Sequence, residues 1–413
     1  MTVSRPLIAG LLSALPLGLF AGSPPVSSLA PAPSPNWLTG EGVSLGGVLF
    51  PHVHFHSAVG DSSIDPASLT VGHHDPDREG ITVQNIEFGT SARLGKHFEA
   101  FGTYAAKIDL NDDWAGEFEE WFGKLKDLPG GLEVRGGRYY NRFGLHNTYH
   151  PHGFDWADQY LVSGRFLGED GLRTIGGEAT WTLPTPWTSV LSASVGEAPE
   201  LEEHGHGAEE EEHEFEAEGA SFNDLIVAAN WTNQFDHDDF HQMRAGFSGA
   251  WGDNVWGKTT QVYGAHFEYQ WRENGYEKGG KWFRWRTEAM IRNFKGISGH
   301  LPGEEEEEHE EGEHEEEEVA HTGSFDEFGI YSDIRYGWAN NLEVGLRGEY
   351  VSGIRSAGLD ERYRISPGVT YYLNNSRTLM FRVQYNYDHS NDFGDAHSVW
   401  GQFGFNWGGG EVR

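Results

Sequence analysis

The chain has 413 residues, a formal net charge of −35 and no cysteine. The lack of cysteine excludes disulfide frameworks, thiolate metal sites and cysteine nucleophiles. The strong acidity argues against nucleic acid as a partner, because the protein would repel phosphate. Aromatic residues make up 14% of the chain and 56 residues are glycine, which is typical of a membrane β-barrel with aromatic girdles and tight turns.

The N-terminal residues have the order of a secretory signal peptide. In residues 1–22 a single arginine precedes an apolar run, and signal peptides have this order and length. Cleavage is expected near residue 22 or as late as residue 30, and the Pro/Ser-rich residues 23–40 predict a flexible leader. No later stretch offers eighteen consecutive apolar residues, so we expect an exported chain of this kind to cross a membrane with strands.

Residues 41–408 predict a single all-β domain, a transmembrane antiparallel β-barrel. In the segment KWFRWRTEAMIRN, apolar side chains such as Phe283 and Ile291 fall on one face of a strand, and charged ones such as Arg284 and Glu288 fall on the other. The same alternation predicts sixteen strands, near residues 43–55, 81–93, 97–109, 116–126, 132–141, 172–183, 187–197, 221–233, 239–251, 259–273, 281–295, 324–338, 342–354, 361–373, 377–389 and 396–407. An even strand number is typical of bacterial outer-membrane barrels.

The connections between these strands alternate in length. Tight-turn sequences follow even-numbered strands, at residues 95–96, 129–131, 184–186, 340–341 and 374–375. Long connections follow odd-numbered strands, at residues 56–80, 142–171, 198–219 and 296–323. Outer-membrane barrels have short periplasmic turns and long extracellular loops, whereas a soluble sandwich gives no reason for this alternation. The pattern therefore predicts that the protein lies in the outer membrane of a Gram-negative type bacterium.

Most of the negative charge lies in two of the long loops. Residues 200–218 hold ten carboxylates and residues 304–318 hold twelve, with no lysine or arginine in either, and without these loops the formal charge would be −13. The histidines of these loops are His204, His206, His213, His309 and His314. Because imidazole binds Zn²⁺, Ni²⁺ and Cu²⁺ and carboxylates attract divalent ions, we expect metal capture at the pore mouth. The alternative is a solvated acidic loop that binds counterions weakly.

A second histidine cluster lies in the first predicted strand. In PHVHFHS, the side chains of His52, His54 and His56 share one strand face and alternate with Val53 and Phe55. With the apolar face toward lipid, the three imidazoles would point into the lumen. They are candidate metal ligands, and with equal weight they are polar residues of a wet wall.

The long loop after the fifth predicted strand, residues 142–171, is a candidate constriction loop that folds into the pore. Its candidate residues are His146, His150, His152, Asp155 and Asp158. His150 and His152 are near enough in sequence to share a metal ion or to act as hydrogen-bonding residues of the loop.

Charged side chains on the inward strand faces predict a mixed lumen. The predicted pore-lining residues are Arg284, Arg286, Glu288, Arg292, Arg347, Arg364 and Arg382. Some of these arginines are expected to pair with inward glutamates, but rings of arginine can also select anions. An anion-selective or general porin is therefore an alternative to metal uptake.

The segments GRYYNRFGLHNTYHPHGFDWADQYLV, FLGEDGLR and TWTLPTPW within residues 136–187 resemble a family of porin-like outer-membrane barrels with His/Glu-rich loops. Members are often loosely labelled TonB-dependent or zinc-regulated receptors. The resemblance implies an outer-membrane channel linked to metal supply. A TonB-dependent transporter needs about 22 strands and an N-terminal plug, so a passive porin is the better expectation here.

The sequence gives less support to two other classes of function. The chain contains no HExxH metalloprotease motif, and we expect no enzymatic activity. A non-conducting barrel that only anchors its acidic loops, as a surface metal sink or adhesion protein, stays an alternative. We expect no cofactor requirement. The expected partners are outer-membrane lipid, small solutes and a bound Zn²⁺ or other divalent ion. Such a barrel can also assemble as a homotrimer.

Overall fold

The computed structural model describes residues 47–108, 114–199, 221–277, 280–298, 321–339, 341–354 and 359–408. The predicted signal peptide and leader lie outside these residues. So do most of the two acidic loops, including the metal-ligand candidates His204, His206, His213, His309 and His314, whose predicted role stays a prediction.

Sixteen antiparallel strands in the described residues close into one barrel, in which each strand pairs with its sequence neighbours and the last pairs with the first. The strands are β1 (Gly47–Ser62), β2 (Gly80–Leu94), β3 (Phe98–Ile108), β4 (Trp114–Leu128), β5 (Leu132–Tyr140), β6 (Arg173–Thr182), β7 (Thr188–Glu197), β8 (Phe222–Asp236), β9 (His241–Asn254), β10 (Thr259–Arg272), β11 (Trp282–Ser298), β12 (His321–Ala339), β13 (Leu342–Val351), β14 (Arg362–Tyr372), β15 (Leu379–Ser390) and β16 (Gly394–Gly408). The predicted fold class is confirmed.

The two faces of each strand meet different surroundings. On β11, Trp285 and Ile291 are 42% and 51% exposed on the outside, whereas Arg284 and Arg286 are at most 1% exposed on the inside. Apolar side chains cover the barrel exterior in this way along all the strands, and such an exterior requires lipid rather than water as its surroundings.

Two of the predicted loops are shorter than expected. β1 does not end near residue 55 but continues to Ser62, because Ala58 and Val59 still pair with Gln402 and Gly401 of β16. The loop predicted from residue 56 therefore begins at residue 63. β11 and β12 likewise pair up to Ser298 and His321, which shortens the acidic connection predicted at 296–323. In both places small or polar residues continue a strand without an apolar alternation to mark it.

The connection between β5 and β6 runs through the barrel interior. It contains a short 3-10 turn, Pro151–Gly153, and helix α1, Leu161–Leu167. Its aromatic side chains form much of the interior apolar core: the Tyr160 ring stacks on Tyr331 of β12 at 3.7 Å, and Trp156 lies over Gly345 and Gly368, where a Cβ atom would approach its ring to about 3 Å. We call residues 141–172 the inward loop.

In the described residues, no helix has the length and apolar character needed to cross a membrane.

Candidate metal site in the barrel lumen

The histidines of β1 point inward because side chains alternate along a strand. His52, His54 and His56 are all buried. β2 pairs beside β1 with Glu87 opposite His54, so the Glu87 carboxylate lies among the imidazoles. It is itself fully buried.

Two consecutive carboxylates of β4 also point inward, which a regular strand does not allow. The pairing of β3 with β4 shifts register between Thr103 and Ala105, whose partners are Glu120 and Glu117. An extra residue of this kind is a β-bulge, which re-aims side chains locally. As a result both Glu119 and Glu120 are buried in the lumen.

The inward loop adds two histidines, which lie on the lumen side of β1, β2 and β4. His150 precedes the 3-10 turn Pro151–Gly153 and His152 lies within it, and the two imidazoles face the glutamates of β2 and β4. His150 Nδ1 lies 3.2 Å from a Glu87 oxygen and 3.0 Å from a Glu119 oxygen, and its Nε2 lies 2.8 Å from Glu120. His152 Nδ1 lies 2.7 Å from the other Glu87 oxygen, and its ring stacks on His54 at 3.6 Å.

We call these seven residues the His–Glu cluster: His52, His54, Glu87, Glu119, Glu120, His150 and His152. A neutral imidazole donates from only one ring nitrogen, yet both nitrogens of His150 face carboxylate oxygens. Within the described chain, every ion pair of Glu87 and Glu119 is with a histidine. A buried carboxylate is either protonated or compensated by positive charge, so the cluster holds protonated carboxyls, protonated imidazoles or a bound cation.

Ligand atoms in this cluster lie close enough to share one ion. His52, His54 and Glu87 form one group whose ligand atoms are all within 4.8 Å of one another, and Glu87, His150 and His152 form another. Neither group includes His56, whose Nε2 lies 3.0 Å from the Asn406 side-chain oxygen. The same oxygen lies 2.9 Å from His54 Nδ1, so Asn406 orients the histidines rather than completing a ligand set.

On the opposite wall, all seven predicted pore-lining residues are buried. The inward loop reaches them with two aspartates. Asp155 accepts hydrogen bonds from Arg284 at 2.5 Å and from Arg335. Asp158 accepts from Arg347 at 2.7 Å and Arg364 at 3.0 Å. These four arginines therefore anchor the loop and are already paired.

The remaining predicted residues of this wall have other partners. Arg286 pairs with Glu268 at 2.8 Å, and Arg292 pairs with Glu327 at 2.6 Å. The Glu288 carboxylate accepts a hydrogen bond from the backbone N–H of Leu145, at the start of the inward loop. Separately, Arg382 donates to the Gln402 side chain at 2.7 Å and to the Phe154 carbonyl at 2.9 Å.

The aspartates of the inward loop are held in their ionised form. Burial alone would raise the pKa of Asp155, but the charges of Arg284, Arg335 and Arg286 outweigh burial and lower it. Burial likewise opposes the charges of Arg347 and Arg364, which lower the pKa of Asp158. The loop therefore presents two permanent negative charges to the arginine wall.

His146 has a structural place in the loop. Burial lowers the pKa of His146 to about 3, so its imidazole is neutral. Its Nε2 bonds to the Gln159 side chain, and its ring packs edge-on against Tyr160 at 4.6 Å. This candidate lies with the loop's aromatic core and outside the His–Glu cluster.

Sequence reasoning missed the three glutamates of the cluster. Glu87 carried a usable signal, because it falls on the inward face of a strand next to the one with three alternating histidines. Glu119 and Glu120 carried none, since strict alternation would have placed one of them outside and only the bulge brings both in.

No family model matches the chain. An uncharacterized protein of Aquifex aeolicus (strain VF5) is 30% identical over 119 residues, which cover 29% of this chain. The match spans only 24% of that relative's length.

Solved structures with the same fold are outer-membrane barrels. An anion-selective porin from Comamonas acidovorans is 10% identical and matches 87% of this chain and 99% of its own, with a TM-score of 0.51. The outer membrane channel DcaP of Acinetobacter baumannii is 9% identical. The match covers 88% of this chain and 98% of the DcaP chain, with a TM-score of 0.51. Pseudomonas putida OprB is 11% identical. The match covers 88% of this chain and 94% of the OprB chain, with a TM-score of 0.50.

At these identities the likeness concerns the fold. The sixteen-strand barrel and its apolar exterior agree with these porin-like structures, and the strand number differs from the roughly 22 strands of a TonB-dependent transporter. The chain is therefore an outer-membrane protein with a porin-like barrel.

Proposed function

We propose that this protein is an outer-membrane channel for small solutes that admits divalent transition-metal ions of the Zn²⁺ type, with the His–Glu cluster as its binding site. The observation that carries the proposal is the surroundings of Glu87. This buried carboxylate lies among four histidines from a strand and a loop, and in the described residues it has no lysine or arginine partner.

The donor set and its spacing suit such an ion. Imidazole nitrogen and carboxylate oxygen, without thiolate, are ligands of Zn²⁺, Ni²⁺ and Cu²⁺. A tetrahedral ion with bonds near 2.1 Å separates its ligand atoms by roughly 3.4 Å. The distances from Glu87 oxygens to His52, His150 and His152 are 3.8, 3.2 and 2.7 Å, so small side-chain shifts would admit an ion.

Two overlapping groups around one carboxylate also suit passage rather than storage. An ion bound by His52, His54 and Glu87 needs only to exchange its histidines for His150 and His152 to move within the cluster. A channel site must bind an ion strongly enough for the ion to enter, and neighbouring sites must be close enough for the ion to move on. The acidic loops would raise the concentration of cations at the mouth.

The alternative of an anion-selective or general porin rests on the lumen arginines. Within the described residues, five of these six predicted arginines pair with carboxylates, and Arg382 is the one of the six that makes no ion pair. Paired guanidinium groups offer little net positive field to a passing anion. The geometry therefore favours cation passage over anion selection.

Zinc flux into proteoliposomes that enclose a zinc-sensitive dye tests the proposal. Glu87→Gln keeps the shape of the side chain but removes the shared charge, and we expect it to lower Zn²⁺ flux by about tenfold or more. Glu277→Gln is the control, because it neutralises an exposed carboxylate in the turn between β10 and β11, outside the lumen, and should leave zinc flux near the wild-type rate.

Equal zinc flux in wild type and Glu87→Gln would contradict the proposal. A reversal potential that indicates selectivity for chloride in a salt gradient would favour the arginine alternative. A complete lack of conductance for any ion would favour the non-conducting metal sink.

A further inference from the structure

We infer that His73, His74 and Asp170 form a second divalent-metal site on the extracellular side of the His–Glu cluster, and that Glu119 links the two sites. We call these three residues the outer site. The inference rests on the proposed function, since it assumes that the lumen handles divalent ions, but its own evidence comes from a different part of the molecule.

The outer site joins two loops. His73 and His74 lie in the connection between β1 and β2, and Asp170 lies near the end of the inward loop. His73 Nδ1 is 3.2 Å from Asp170 Oδ1, and one ligand atom from each residue lies within 4.8 Å of the others. The backbone N–H of His73 donates to the Glu169 carbonyl at 3.3 Å, which ties the loops together at this point.

The surrounding hydrogen bonds hold the ligands ready. His74 Nδ1 lies 2.6 Å from the Gln84 backbone carbonyl, so it carries the proton and leaves Nε2 as the ligand nitrogen. Arg173 binds the Oδ2 atom of Asp170 at 2.7 Å and leaves Oδ1 toward His73. Metal-binding histidines and carboxylates are oriented by supporting bonds of this kind.

The outer site is nearer to the cell exterior than the cluster. Gln84, which holds His74, is three residues closer than Glu87 to the extracellular end of β2. The side chains of His73, His74 and Asp170 are 12%, 10% and 24% exposed, whereas Glu87 is fully buried. An ion arriving from outside can therefore keep part of its water shell at the outer site and lose it at the cluster.

Glu119 faces both sites. One of its oxygens lies 3.5 Å from His74 Nε2, and the other lies 3.0 Å from His150 Nδ1. A carboxylate can bridge two positions of a cation with its two oxygens. The arrangement gives an ion continuous negative partners between the outer site and the cluster.

Anomalous diffraction from crystals of the full chain, grown with stoichiometric Zn²⁺ and measured on both sides of the zinc edge, locates each bound ion. We expect two peaks in wild type, one among His73, His74 and Asp170 and one beside Glu87. His73→Gln should abolish the outer peak alone. His97→Gln, which changes a histidine in the periplasmic turn between β2 and β3, should keep both peaks.

The outcomes separate this inference from the proposed function. Glu87→Gln should abolish the inner peak and keep the outer one. An inner peak without an outer peak in wild type overturns the outer site alone. An outer peak without an inner one supports the outer site and overturns the cluster as the binding site, and the absence of both peaks overturns both. The wild-type maps decide even if a variant fails to fold.

Discussion

The two walls of the lumen use buried charge in opposite ways. On the wall formed by β11 to β15, the inward loop supplies Asp155 and Asp158 to arginines, so opposite charges meet directly. On the wall formed by β1, β2 and β4, the loop supplies His150 and His152 to glutamates, which leaves the positive charge to a proton or a metal ion. One wall carries its positive charge as arginine, and on the other wall that charge depends on protons or on the proposed metal ion.

This contrast indicates that charge pairing, more than residue type, separates the arginines that anchor the loop from the proposed metal ligands. Arginine in a porin lumen suggests anion selection when the sequence is considered alone, yet here guanidinium groups hold a loop in place. The cluster histidines differ from ordinary polar wall residues because they are the ion-pair partners of Glu87 and Glu119 within the described residues. The predictions below test the difference between the walls.

The largest expected effect is on the arginine wall. Asp155→Ala leaves the buried guanidinium groups of Arg284 and Arg335 without their shared carboxylate. Breaking a buried ion pair from one side costs about 3–5 kcal/mol, so the free energy of unfolding in urea and lipid vesicles should fall by that amount. Asp61→Ala, at an exposed site on β1, should change it by less than about 0.5 kcal/mol. Equal effects at the two positions would refute loop anchoring by Asp155.

The same ion pair predicts a pH dependence. The arginines lower the pKa of Asp155 in the folded state, so its contribution to stability is present above the ordinary pKa and lost as pH falls toward the folded one. The difference in unfolding free energy between wild type and Asp155→Asn should stay constant from about pH 7 to pH 5 and shrink below about pH 4. A difference that grows in acid would contradict this sign.

A smaller loss of stability is expected where the inward loop packs on glycine. A Cβ atom at Gly368 would lie 2.9 Å from the Trp156 ring, so Gly368→Val overpacks the interior and should cost about 1–3 kcal/mol. Gly348 has open space around it, and Gly348→Val should cost little. Thermal unfolding of the two variants compares them directly; similar losses would mean that Trp156 does not rest firmly on β14.

Much of the fold was predictable from the sequence, and the pairing inside it was not. Two-residue alternation placed Arg284 and His52 on inward strand faces, away from lipid, because strand geometry fixes those directions locally. It could not show that Asp155 meets Arg335, since that contact joins a loop to a strand 180 residues away. It also could not show Glu119, because a bulge breaks the alternation on which the prediction depends.

Zinc affinity should distinguish the two sides of the inward loop. His152→Ala removes a ligand candidate that lies 2.7 Å from Glu87, and we expect zinc affinity at the cluster to fall by about tenfold. Asp158→Asn changes the loop on the arginine side and should leave that affinity unchanged while lowering stability. Isothermal titration of both variants measures the difference. Loss of affinity in Asp158→Asn alone would mean that loop position, rather than ligand chemistry, controls binding.

The smallest expected effect is a change in the rate of transfer between the two metal sites. Glu119→Gln preserves side-chain shape but weakens the attraction between His74 and His150, so zinc flux should fall a few-fold while ions still bind at the outer site and beside Glu87. Stopped-flow zinc uptake, compared with the exposed control Glu277→Gln, measures this. Unchanged flux would mean that ions reach Glu87 by another route. A slower flux with both sites filled would make Glu119 a connection between sites, because a ligand essential to either would empty it.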